Sequence, residues 1–176
     1  MKAIYFLIPL FIVNSCKTQT GNVISSDKTN MEQSENYGPD CPDEGTCNVV
    51  VHQNKSLQFI EDGVGNPYTE ITDGKNLVVE FTYFKAGPEG TADGNYTETL
   101  QFEIPDGAEA LTKENASLAD VKLMFGKQGF RMSSYYPVTS GKLTLKKTGQ
   151  TLSFDLKFKV DETSQVISHI SETVKL

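Results

Sequence analysis

Every second position from 152 to 160 is large and apolar: Leu152, Phe154, Leu156, Phe158 and Val160, with Ser153, Asp155, Lys157 and Lys159 between them. A period of 2 places the apolar set on one face of a β-strand and the polar set on the other. One dry face and one wet face imply an antiparallel sheet, because parallel sheets bury both. The alternation holds from residue 46 onward. Leu77, Val79, Phe81 and Tyr83 share one parity, as do Leu100, Phe102 and Ile104, then Val121, Leu123 and Phe125, then Leu143 and Leu145. Ile170, Val174 and Leu176 close the chain with a weaker version.

The stretches between these runs carry turn residues: Asp62-Gly63, Asp73-Gly74, Asp93-Gly94, Asp106-Gly107, Gly126 to Gly129 and Ser140-Gly141. Thr148-Gly149 lies between two well-marked strands and predicts a tight hairpin joining 142–147 to 150–160. Residues 107–119 contain helix formers but one or two apolar anchors, which predicts a turn or two of helix or a long loop. Short strands at regular spacing predict an all-β domain over 41–176, an antiparallel β-sandwich, with a calycin-like β-barrel as the alternative.

The first 16 residues follow another logic. Lys2 is a short positive start, and Ala3 to Val13 is an apolar run. It is too short to span a bilayer, which takes about 20 residues, and fits the hydrophobic part of an export signal. The run ends in Val13-Asn14-Ser15-Cys16, which resembles a bacterial lipobox, although Asn14 departs from the small or hydroxyl residue usual at its position. The resemblance implies a signal peptide over 1–15, cleavage before Cys16, and acylation of the Cys16 thiol and new amino group. More than one acyl chain is what stable attachment needs. Lys17, rather than Asp, follows the Cys. By the sorting rule that comes with the same resemblance, this directs the protein to the outer membrane. Residues 17–40 are rich in Ser, Thr, Asn, Gln and Gly and show no apolar period. Such a composition does not offset the cost of ordering, so 16–40 is expected to be a lipidated, disordered tether with a reach of roughly 25–30 Å. An irregular strand around Asn22-Val23-Ile24 is the alternative.

Charge and chemistry narrow the field further. Sixteen basic against 23 acidic side chains give a net charge of −7, and loss of Lys2 with the signal makes the chain one unit more negative. A polyanion needs clustered Lys and Arg, so nucleic acid is not expected as a partner. An anionic leaflet would not attract such a chain either, so the lipid must hold it at the membrane. Cys41 and Cys47 bracket Pro42, Asp43 and Gly45, turn residues that bring the two Cα atoms within range of a disulfide. An oxidising export route favours that pairing over free thiols or a metal or redox site.

No Gly-x-Ser-x-Gly, phosphate-cradling Gly-rich loop or His-Glu-x-x-His is present. His52 and His169 are too few for zinc, which normally takes three protein ligands and a water, and read as solvated strand residues. Asp93-Gly94-Asn95 offers oxygens but lacks the spaced acidic ladder of a calcium loop, so it reads as a plain turn. No Trp is present to stack on a sugar. The one unusual stretch runs from Gly129 to Pro137, where Phe130, the sole Arg at 131, Tyr135 and Tyr136 form a candidate binding surface. The bland alternative is a strand with Phe130 and Met132 inward and Arg131 outward.

The last third, from Gly141 to Leu176, resembles the C-terminal hairpins of small β-sandwich lipoproteins common in the Bacteroidota. In these a Gly-led strand, a tight turn, an amphipathic strand and a final strand close the domain. The lipobox, the polar tether and the preference for Lys over Arg agree with that group, many of whose families have no assigned activity. No catalytic residue, metal or cofactor is implied. The expectation is a non-catalytic, lipid-anchored cell-envelope protein, a binding or structural module whose partner is an unknown protein or small-molecule ligand. The alternatives are a small carrier with an apolar ligand inside a barrel, and an enzyme with a cleft of convergent polar groups.

Overall fold

The computed structural model describes residues 31–34, 41–91 and 93–176. The expected signal peptide over 1–15, Cys16 and most of the expected tether lie outside the described residues, as does Asn22-Val23-Ile24. Within the stretch read as tether, Met31–Ser34 forms β1, an edge strand whose pairing with the next strand brings Met31 opposite His52. An unpaired strand edge offers backbone donors and acceptors even to a segment with little apolar content.

The remaining strands are β2 (Thr46–Glu61), β3 (Pro67–Lys85), β4 (Tyr96–Ile104), β5 (Ala110–Glu114), β6 (Met124–Gly129), β7 (Met132–Pro137), β8 (Ser140–Thr148), β9 (Thr151–Lys159) and β10 (His169–Lys175). They form two antiparallel sheets, one in the order β1-β2-β3-β4-β6-β7 and the other β10-β9-β8-β5. The sheets do not close on each other, so the fold is a β-sandwich rather than a barrel. Cys41 and Cys47 are joined as a disulfide with Cα atoms 5.8 Å apart, and both pack against the edge of the core.

The period-2 faces meet between the sheets. Leu152, Phe154, Leu156, Phe158 and Val160 are all buried. The Phe154 ring meets Phe102 of the facing sheet edge-on at 5.5 Å, and Phe158 meets Phe125 at 6.0 Å. The β8–β9 hairpin closes at Thr148 and Thr151 as its turn chemistry demands.

Several expected turns are not turns. Asp73-Gly74 lies inside the 19-residue β3, and Gly126 to Gly129 lie in β6, whose hairpin turns one step later at Phe130-Arg131. Ser140-Gly141 begins β8. Residues 107–119 divide between β5 and a 3-10 helix, Asn115–Val121. Leu111 pairs opposite Leu145 on the edge of the core, so tertiary pairing wins over helix propensity there. Val121 and Leu123 are buried as their parity suggested. However, Val121 ends the 3-10 helix, and Lys122 adopts a left-handed backbone before β6 begins.

The half-buried geometry of β9 has a measurable consequence. Phe154→Ala should destabilise the domain by about 3–5 kcal/mol, through lost burial and the cavity left behind. The outward-facing Lys157→Ala should change stability by no more than about 0.5 kcal/mol. Urea melts of the two variants check this, and equal losses would mean that the β9 faces are wrongly assigned.

Candidate functional site

The hairpin of β2 and β3 is longer than the sheet it belongs to. Its inner half, 46–53 with 77–84, pairs in the six-stranded sheet, and its outer half, 55–61 with 67–73, forms an arm. The register slips between Gln53 and Lys55, and Asn54 takes a left-handed backbone with φ 56°. Asn tolerates that region better than most residues, and a bulge of this kind bends a strand. Opposite the bend, a Cβ on Gly74 would lie 2.7 Å from the Ser56 Cβ, so this crossing admits only glycine.

Beyond the bend the arm crosses the outer face of the sheet. Leu57, fully buried, lies on the arm, and Val50, Val78 and Met124 are buried on the outer face, all apart from the main core. The centre of the contact is Glu103, on the outward side of β4. Its carboxylate accepts hydrogen bonds from the Leu57 amide (2.6 Å), the Ser56 hydroxyl (2.9 Å) and the Asn76 amide group (2.5 Å), and an ion pair from Lys122 (2.9 Å). Lys122 also donates to the Leu57 carbonyl at 2.8 Å. Further along, Thr69 of the arm donates to the Gln101 side chain, which donates in turn to Glu80. Burial alone would push the Glu103 carboxyl up, but the Leu57 amide, Lys122, Ser56 and Asn76 outweigh it and hold the group below the usual carboxylate value.

The arm tip reaches β7 and leaves an open groove of about 430 Å³ lined by Asp62, Asn66, Pro67, Tyr68, Ser133 and Tyr135. Asp62 organises the tip loop. It accepts from the amides of Val64 (2.9 Å) and Asn66 (2.8 Å) and from the Asn66 side chain (3.0 Å), and Asn66 and these amides hold its carboxyl low. The Tyr135 ring lies against Gly126, where a Cβ would sit 2.8 Å from its Cε1, and its hydroxyl accepts from Gln128 at 3.1 Å. Gln128 also borders a second recess, of about 380 Å³, shared with Asp93, Asn95, Thr97, Gly129, Phe130 and Arg131.

The four residues of the expected binding surface therefore divide. Phe130 and Arg131 form the hairpin tip, with Phe130 62% exposed rather than inward and the Arg131 guanidinium 5.0 Å from its ring centre. Tyr135 faces the groove under the arm. Tyr136 points the other way and packs against the core, because adjacent strand residues face opposite sides. Tyr68 and Asp62 were not singled out by the sequence as a site. Their only signal was a Gly and an Asn interrupting two alternating runs.

A second polar cluster serves the fold. Glu98 is fully buried at the inner face of β4, opposite Lys127 in register. It accepts from the amides of Val166 (2.7 Å) and Ile167 (2.8 Å) and from the Tyr96 hydroxyl (2.5 Å). Lys127 donates to the Ser164 carbonyl at 2.7 Å and lies 5.7 Å from the Tyr96 ring centre. Burial, then the bond to Glu98, raises the Tyr96 phenol well above its ordinary range. These groups are used up in holding the β9–β10 connection.

His169 is not merely solvated, since its Nε2 lies 2.8 Å from an Asp155 carboxylate oxygen. The described residues contain no group of three His, Cys, Asp or Glu able to hold a metal, and none of their helices is long and apolar enough to cross a membrane. Compared with family models, curated proteins and solved structures, the chain finds no match.

Because the Glu103 carboxyl is held low in the folded state, its contribution is present above the unfolded value near 4.3 and fades as pH falls through the folded one. Glu103→Gln should therefore cost about 1.5–3 kcal/mol at pH 7, and the gap from the parent should narrow between about pH 5 and 3. Denaturant midpoints across that range check this, and a gap independent of pH would contradict it.

Proposed function

We propose that the protein is a non-catalytic, lipid-anchored module of the cell envelope that binds its ligand on the outer side of the β6–β7 hairpin. The observation that carries this reading is where open space lies. Between the sheets, the Phe102–Phe154 and Phe125–Phe158 contacts fill the interior. Among the described residues, two recesses of about 430 and 380 Å³ flank the outer side of one hairpin and fall in the size range of small-ligand sites, while a smaller one of about 250 Å³ lies over β8, β9 and β10. A filled core supports an external binding face over an interior carrier.

The anchor rests on the lipobox-like segment ending at Cys16. Acyl chains on Cys16, followed by a polar tether, would leave the sandwich free to present this face away from the membrane. Lys17 favours the outer membrane, where the module would face either the periplasm or the surface. The acidic balance supports a membrane partner through lipid alone and no nucleic-acid partner.

In a lipoprotein-processing host the protein should incorporate labelled fatty acid and partition into detergent, while Cys16→Ser should lose both properties. Label retained by the Cys16→Ser variant would overturn the anchor. Amide exchange of the purified chain, with and without its own envelope fraction, should slow at β6–β7 and stay unchanged at β8–β9. Slowing confined to β8–β9 would move the binding face elsewhere.

A further inference from the structure

We infer that the groove between the arm and β7 binds a neutral sugar ring of a glycan, stacked on Tyr68 and Tyr135; this rests on the binding-module reading and names its ligand class. The argument begins with charge. Of the six lining residues Asp62 alone is charged at neutral pH, and its carboxylate already serves three donors of its own loop. With no Lys, Arg or His in the lining, nothing there neutralises an anion. An acyl chain would need a continuous apolar lining, whereas this one alternates Pro67 and two phenol rings with Asp62, Asn66 and Ser133.

What the groove does offer suits a polyhydroxylated ring. The face of a phenol ring is electron-rich and accepts weakly positive C–H groups, such as those on one side of a pyranose. Tyr68 is 37% exposed at the groove wall, and Tyr135 faces it from β7. Among the described residues, neither the Tyr68 hydroxyl nor the Ser133 hydroxyl has a hydrogen bond within the protein, so both are free to pair with ring hydroxyls. The absence of Trp thus does not remove stacking, since two tyrosines brought together by the arm supply it.

The walls are also held in place before any ligand arrives. Asp62 fixes the tip loop, Gln128 holds the Tyr135 hydroxyl, Gly126 lets that ring approach the strand closely, and Glu103 ties down the arm. Binding then costs little ordering of the protein. Gln128, which donates to the Tyr135 hydroxyl, lines the recess beside Arg131, so the two spaces lie on either side of one hydrogen-bonded pair.

Affinity electrophoresis of the whole exported chain through native gels containing soluble glucan, xylan, mannan or glycol chitin tests the inference. At least one of these should retard the protein. Tyr68→Phe with Tyr135→Phe should keep the retardation, because the rings remain. Tyr68→Ala with Tyr135→Ala should weaken it by about tenfold or more. Tyr68→Ala alone, at an exposed position, should also weaken it and keeps the test independent of any folding defect at Tyr135. No retardation by any of the four, or retardation that survives loss of both rings, would overturn the sugar assignment. If β6–β7 amides were still slowed by the envelope fraction, the binding-module reading would stand and only the ligand class would fall.

Discussion

A carboxylate enclosed on the outer face of a sheet has to find a donor for each lone pair it turns away from water, and at Glu103 the arm and its neighbours supply them. This enclosure ties together parts that are remote in sequence. Ser56 and Leu57 come from the arm, Asn76 from the inner hairpin, and Lys122 from the end of the 3-10 helix. The helix in turn fills the sandwich with Leu118, which is fully buried. With the carboxylate satisfied, Leu57 on the arm and Val78 and Met124 on the outer face are all buried, and the segment Leu100–Ile104 is buried on both sides. Without those donors the Glu103 side of β4 would need water, and the arm would keep only the Thr69–Gln101 contact with that strand.

The groove is a by-product of that closure. The arm crosses β4 at Glu103 and Gln101 and ends beside Ser133 and Tyr135, so its tip loop becomes a wall rather than a free hairpin end. Local chemistry then shapes the wall. Asp62 gathers the amides of its own loop, and the missing side chain at Gly126 lets Tyr135 settle against the strand. The groove is held in place by these ties, because its walls are fixed to the sheet or to their own loop.

Two buried charged centres thus play different parts. Glu98 and Lys127 face the interior and are used up on residues 163–167, which fixes the connection between β9 and β10. Glu103 faces outward and fixes the arm, which places Tyr68 in the wall of the groove. The first centre ends in a closed network; beside the second, among the described residues, the Tyr68 and Ser133 hydroxyls make no hydrogen bond within the protein.

The alternation at 77–83, 100–104, 143–145 and 152–160 was enough to establish strands, their inward faces and a two-sheet core, because period 2 is a local property of an extended backbone. The disulfide pair and the β8–β9 hairpin were legible for the same reason: the residues that set them lie within a few positions of one another. Local pattern did not reveal the arm. Asp73-Gly74 has the composition of a turn, and only its approach to Lys55 and Ser56 makes it a bend within a strand. Nor could it show that Gln101 and Glu103, polar by parity and so assigned to water, would be covered by residues some 30 to 47 positions away. It grouped Tyr135 with Tyr136, although adjacent strand positions face opposite ways, and gave no reason to join Tyr68 to either. Burial of a polar face depends on which distant donors arrive there, and that is decided only when the chain has folded back on itself.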